Sequence, residues 1–292
     1  MNIVNIGGSI SRPDLPARQH GLLGDTAARD YVLKLQLFNE FAEPELKLAI
    51  GGLQLQPGMR ILDAGCGTGE SLHLLADAVK PGLVVGMDLA AAHVRSARAI
   101  APPDSIVLQA DVIQLPFRTA SFDLIWCVNT INHLHDARGG VHILSTLLRP
   151  GGRIALGQSS LLPDMCFAWN APLEKRVDAA VRRYYQERYQ VSEQNLSAIR
   201  ALVGLLRRNG FVDIKARTIP IERIGPLRPV DERYLVDAIF RGTWGERLRP
   251  YLSIEDFEEL ARLCNPQHAQ FALNRPDFHY IQIFTLVIGT IP

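Results

Sequence analysis

Apolar and polar positions fall into blocks along the chain. Residues 1–25 carry Gly, Pro and Ser without clear periodicity, whereas "ARDYVLKLQLFNEFAEPELKLAI" sets Tyr31, Leu35, Phe38 and Ala42 at helical spacing and predicts a helical leader. From residue 60 the blocks take a regular order. Short apolar runs predict strands over 60–64, 83–88, 106–110, 122–128 and 153–158, and amphipathic runs predict helices over 70–79, 90–100 and 138–148. Strands separated by helices imply a parallel, doubly wound α/β sheet.

The rhythm changes after "PGG" at 150–152, a breaker that feeds the apolar strand "RIALG". Two helical patterns follow, "LEKRVDAAVRRYYQERY", which looks inserted, and "SEQNLSAIRALVGLLRRNG", with Ser192 as N-cap and Gly210 just past the C-terminus. "FVDIKART" reads as a sixth strand, a second helical insertion spans 226–275 with Ser253 opening "IEDFEELARLC", and "FHYIQIFTLVIG" reads as a seventh strand. This divides the chain into a leader or lid over 1–42, a core of 43–158, 196–218 and 279–290, and cap insertions over 159–195 and 219–278. The caps stand at the carboxyl ends of the strands, where open α/β sheets bind ligands, and would form a substrate pocket.

Charge narrows the partners. Lys and Arg total 31 against 30 acids and are spread through the chain, which argues against nucleic acid. Cysteines stand at 66, 127, 166 and 264 without finger spacing or a disulfide framework, and the N-terminus shows no signal-peptide pattern. A soluble cytoplasmic protein with reduced thiols and no membrane insertion is expected, its oligomeric state, a homodimer included, left open.

The chemistry gathers in "RILDAGCGTGESLHLLADAV", residues 60–79. Gly65, Gly67 and Gly69 follow the first strand, so a tight turn can bring a ligand to the backbone and the next helix. A dinucleotide fingerprint would place its last glycine where this chain has Glu70. That acid favours the helix start by about 0.3–1 kcal/mol and repels a pyrophosphate. Asp63 adds a second negative charge, and Asp88 ends the second strand, positioned to accept from ribose hydroxyls. Such a mouth suits a nucleoside with a cationic tail.

"LDAGCGTGE", "VVGMDLA", "LQADVIQLPF", "FDLIWCVNTINHLHD" and "LLRPGGRIAL" together resemble the successive motifs of class I S-adenosylmethionine-dependent methyltransferases, especially their ubiquinone-biosynthesis-like small-molecule branch. The resemblance implies a seven-stranded Rossmann-like sheet of order 3-2-1-4-5-7-6 with strand seven antiparallel. It implies S-adenosylmethionine as cofactor and S-adenosylhomocysteine as product. Carried over residue by residue, Asp63 and Gly65 meet the methionine portion, Asp88 the ribose with Leu89 beside it, Asp111 and the Val112 amide the adenine, and Asn129 borders the methionine. Cys66, Gly67 and Gly69 complete the loop, where Cys66 reads as a small buried filler.

Other residues remain open between structure and chemistry. His133 stands past the fourth strand as either a general base or a loop-packing side chain. The HxH pair it forms with His135 lacks a third metal ligand, so no metal is expected. On the inserted helix, Leu173, Val177, Val181 and Tyr184 follow core spacing, while Tyr185 and Tyr189 would line the pocket. Arg176, Arg182, Arg183 and Arg188 read as a solvated face. Tyr31 would fold over the cofactor from the leader, and Phe38 would do so or pack. The expected reaction is methyl transfer to O, N or C of a small, partly apolar metabolite of secondary metabolism. The alternatives are a cyclase or isomerase using the cofactor structurally, a scaffold, or an NAD-dependent oxidoreductase.

Overall fold

Two helices, α1 (Ala28–Phe41) and α2 (Glu43–Gly51), precede the sheet. The computed structural model describes residues 28–134, 136–159, 166–167, 170–189 and 198–292. The strand β1 (Arg60–Ala64) is central because it is apolar on both faces: Ile61 enters the core shared with α1, α2 and α3 (Glu70–Val79), and Leu62 enters the core on the opposite side. β2 (Leu83–Asp88) and β4 (Phe122–Val128) flank β1, and both pair with it in parallel. α4 (Ala91–Ile100) leads from β2 to β3 (Ile106–Gln109), which pairs on the outside of β2. α5 (Ala137–Thr146) leads from β4 to β5 (Leu148–Ser159).

Beyond β5 the sheet turns antiparallel. β8 (His279–Thr290) lies between β5 and β7 (Val212–Ile224), and the two-residue β6 (Cys166–Phe167) pairs with β8 past the end of β5. Counting β7 as the sixth long strand and β8 as the seventh, the order is 3-2-1-4-5-7-6 with the seventh antiparallel, as expected. Among the described residues no helix is long and apolar enough to cross a membrane.

Several boundaries differ from the expectation. β5 begins at Leu148, so Pro150–Gly152 lie inside the strand, where the register with β4 shifts between Phe122 and Leu124. The breaker residues mark a bulge. α5 ends at Thr146, short of 148. β7 continues to Ile224, paired with His279, so the boundary drawn at 218 falls within a strand. Its Pro220 is tolerated because β7 pairs with β8 alone, leaving its other edge free of ladder bonds among the described residues.

The inserted helix α6 (Ala171–Tyr189) is present, and Gly210 closes the helix Leu202–Arg208 at φ +80°, with the Phe211 amide donating to Leu206 O at 3.2 Å. Ser192 lies outside the described residues. The second insertion contains a π-helix, Tyr234–Trp244, a 3₁₀ turn, Glu246–Tyr251, and the helix Ile254–Cys264, where Ser253 Oγ accepts from the Asp256 amide as an N-cap. Arg176 of α6 donates twice to Asp256 at 2.7 Å, so this member of the expected solvated face ties the two insertions together.

A buried ionic knot joins the leader to the cap. Arg223 of β7 donates to both oxygens of Glu45 in α2, at 2.7 and 3.1 Å, and to Asp231 Oδ1 at 2.9 Å, while its guanidinium lies 4.5 Å from the Phe41 ring centre. Burial works against an ionised Asp231, yet bonds from Arg228 and Arg223 hold its carboxyl below the usual range.

Candidate active site

β1 stops at a turn that folds back over β2: the amides of Gly65 and Cys66 both donate to Met87 O, at 2.8 and 2.9 Å. Two of the glycines are demanded by sterics. Gly65 and Gly69 hold φ of +86° and +95°. A Cβ on Gly65 would come within 2.2 Å of Thr130 Oγ1, and one on Gly69 within 2.8 Å of Ala97 Cα in α4. The loop is thus pressed between the end of β4 and α4. Gly69→Ala is expected to cost about 1–3 kcal/mol of stability through overpacking and left-handed strain, measured as a lower denaturant midpoint at unchanged slope.

Acids line this turn. Asp63 is 2% exposed, and its Oδ2 has no hydrogen-bond partner among the described residues. Burial, then Asp88, then Glu70 raise its pKa to about 8. A carboxylate so placed is stabilised by an incoming cation. Glu70 Oε2 accepts from Thr68 Oγ1 at 2.6 Å and from Asn39 Nδ2 of α1 at 2.7 Å. Asp88 is held below its ordinary pKa range despite burial, by the bond and charge of His93 and by the amides of Ala90 and Gly67. At the outer rim Leu89 and Ile113 are 51% and 62% exposed, two apolar side chains that a flat base would cover, and Asp111 Oδ1 accepts from the Ile113 amide at 3.1 Å. Val112 is buried in the core beneath them. A buried acid that an ammonium would satisfy, an acceptor for ribose hydroxyls and exposed apolar side chains for a base match the parts of S-adenosylmethionine, and the acids at the turn disfavour a diphosphate.

Residues 62–156 match the family model described as a methyltransferase domain. That span carries a methyltransferase domain. It is 36% identical over 119 residues to the 27-O-demethylrifamycin SV methyltransferase of Amycolatopsis mediterranei, covering 39% of this chain and 43% of that relative, so the match spans less than half the relative's length. It is 28% identical over 240 residues to the nocamycin O-methyltransferase of Saccharothrix syringae, covering 77% and 82% of the two chains. The solved YcgJ protein of Bacillus subtilis shares the fold at a TM-score of 0.55 and 19% identity, over 85% of this chain and 98% of that one.

Within the methyltransferase domain the end of β4 takes an unexpected form. Asn129 adopts φ +53°, and its Oδ1 accepts from the Ser159 amide at 2.8 Å and from Gln158 Nε2 at 3.3 Å. Its carboxamide therefore joins β4 to β5 as well as standing at the cleft. His133 ends the short turn Ile131–His133 that follows. Burial lowers its pKa to about 4, opposed by Asp88 and reinforced by His93, so the ring is neutral at physiological pH. Cys66 is buried and its thiol pKa is pushed up by burial and by the neighbouring acids, which suits an inert filler.

The leader covers the loop. Leu35 of α1 lies 3.4 Å from where a Gly67 Cβ would stand, and Tyr31 stacks on His93 with ring centres 5.3 Å apart. Phe38 packs against Tyr234 of the π-helix at 5.9 Å, and Lys34 Nζ donates to Thr243 Oγ1 at 2.8 Å. Tyr184 and Tyr185 are both 8% exposed and belong to one core, their rings 5.5 Å apart, so Tyr185 is as buried as the neighbour expected to be structural. The Tyr189 side chain and His135 lie outside the described residues. Sequence reasoning missed His93 and Asn39, which touch Asp88 and Glu70. A histidine five residues past the acid that ends β2 was the available signal for the first; nothing local marked the second.

Proposed function

We propose that this chain methylates an oxygen of a small, partly apolar molecule, using S-adenosylmethionine. The buried, partnerless Asp63 oxygen at the glycine turn carries the reading, because it calls for the cationic methionine end of that cofactor. Both relatives described above bear the names of methyltransferases of small molecules, and one is an O-methyltransferase by name.

When bound, the cofactor supplies a methyl group on a positively charged sulfur. The chain's own residues then have distinct tasks. Asp63, with Gly65, faces the methionine ammonium, Asp88 the ribose, and Leu89, Asp111 and Val112 the base. Neutral His133 accepts a hydrogen bond from the acceptor hydroxyl and so orients its lone pair. Its conjugate acid is too strong to keep a proton at neutral pH, so the acceptor must itself be acidic, as a phenol or enol is, and its proton passes by way of His133 to solvent. α1 shuts water out of the cleft.

Asp63 gives this reading a pH signature. Its folded pKa lies above the unfolded value, so in the free protein it contributes stability that is complete below about pH 4 and lost as pH rises through about 8. Binding a cation favours the ionised form. Affinity for S-adenosylhomocysteine, measured by calorimetry, is therefore expected to rise from pH 6 toward 8 with proton release, and Asp63→Asn should flatten that rise.

The decisive assay incubates the protein with methyl-labelled S-adenosylmethionine and a panel of phenolic and enolic metabolites. Label in the product together with one S-adenosylhomocysteine per turnover supports the reading. Turnover of an acceptor without label in its product would point to rearrangement instead and overturn it.

A further inference from the structure

Asp88 carries more partners than a free diol acceptor would. Its Oδ2 accepts the Gly67 amide at 3.0 Å, and its Oδ1 accepts both the Ala90 amide at 2.9 Å and His93 Nδ1 at 3.1 Å. Each carboxylate oxygen offers two lone-pair positions, so Oδ1 is filled and Oδ2 retains one. A ribose brings two hydroxyl donors to a group with one position left.

The two amides are fixed, one in the glycine turn and one at the start of α4. His93 is held too: it is 8% exposed and lies under the Tyr31 ring at an interplanar angle of 28°. An ionised carboxylate can only accept, so Nδ1 of the imidazole carries a proton and donates it to Asp88, and Nε2 is the ring's other polar atom. Among the described residues Asp88 is the one hydrogen-bond partner of that ring, which leaves Nε2 available to a ligand hydroxyl.

We infer that His93 shares the ribose with Asp88, one hydroxyl donating to Asp88 Oδ2 and the other hydrogen-bonded to His93 Nε2, with Tyr31 fixing the imidazole plane. The inference rests on the reading that this notch binds the nucleoside of S-adenosylmethionine. It makes His93 a cofactor-binding residue and turns a one-acid ribose site into an acid and imidazole pair.

Calorimetry on the full chain with S-adenosylhomocysteine and its 2′-deoxy and 3′-deoxy analogues tests it. In the wild type each analogue is expected to bind about threefold to tenfold more weakly, the loss of one hydrogen bond. His93→Leu should weaken S-adenosylhomocysteine by a similar factor but leave unchanged the affinity for one of the two analogues, the one lacking the hydroxyl that His93 receives. His93→Gln, which restores a donor and an acceptor, should recover part of the loss. Asp88→Asn should still discriminate against that same analogue, an arm that decides the matter even if His93→Leu does not fold. Equal weakening of all three ligands in His93→Leu, no weakening at all, or loss of discrimination against both analogues in Asp88→Asn would overturn the inference while leaving the cofactor reading in place. Failure of the wild type to bind S-adenosylhomocysteine would overturn the cofactor reading and this inference with it.

Discussion

Asp88→Ala is expected to weaken S-adenosylhomocysteine binding by roughly tenfold to a hundredfold, the loss of a charged hydrogen-bond acceptor. The mutation acts in two ways. It removes the acceptor aimed at the ribose, and it releases the Gly67 and Ala90 amides and His93, which all bond the same carboxylate. Those three donors give the glycine turn and the start of α4 their shared anchor. A third consequence separates this account from simple unfolding: Asp88 is one of the charges that raise the Asp63 pKa, so in Asp88→Ala the pH-dependent rise in affinity should move to lower pH. Asp88→Asn keeps one oxygen for the amides and should lose less. An unchanged dissociation constant in Asp88→Ala, measured by calorimetry at pH 7.5 with the melting transition intact, would refute the assignment of this site.

How far the molecule could be read in advance depends on where its information is local. β1, α3, β2 and β4 lie at the expected residues because each is a short run, apolar on both faces or on one stripe, bounded by glycine or a charged end. The glycine turn and its acids were legible for the same reason: spacing alone places Asp63, Gly65, Gly67 and Gly69 at one strand tip. Boundaries failed where a partner strand overrides local chemistry. Pro150–Gly152 look like a stop, yet pairing with β4 carries β5 back to Leu148 as a bulged strand. Pro220 looks like a stop as well, but β7 pairs with β8 alone among the described residues, and the pairing runs through it to Ile224.

The contacts that shape the site are the least local of all. Tyr31 meets His93 across 62 positions of sequence, Asn39 meets Glu70 across 31, and Lys34 meets Thr243 across 209. Helical spacing correctly identified α1 as amphipathic but not what its polar residues reach. The Tyr184–Tyr185 pair shows the converse limit. Consecutive helix positions point about 100° apart, so Tyr185 reads as facing the pocket side; the turn Glu246–Tyr251 sets Tyr251 and Arg247 against Tyr184, and Tyr185 is buried in the same core. Which side of a helix is buried depends on how many neighbours it has, and the second insertion supplies more than the periodicity of one helix reveals.

Arg223→Met is expected to cost about 3–5 kcal/mol of folding stability, because removing one partner of a buried ionic cluster leaves the others desolvated and unpaired. Glu45 would lose both bonds that Arg223 gives it, and Asp231, 1% exposed, would keep only Arg228. The loss should appear in urea unfolding as a lower midpoint. It should also reach the cofactor, since Arg223 binds the carbonyl of Phe41, the last residue of α1, and α1 carries Tyr31, Leu35 and Asn39 across the glycine turn. Weakened S-adenosylhomocysteine binding is therefore expected alongside reduced stability, at concentrations of denaturant where the fold is intact. The control is the triple change Arg223→Met, Glu45→Leu and Asp231→Asn, which removes the stranded charges together and should recover much of the stability. If Arg223→Met unfolds at the wild-type urea concentration, the cluster does not hold the leader to the cap, and the seating of α1 rests instead on the packing of Phe38 and Phe41 against Tyr234 and on the Lys34–Thr243 bond.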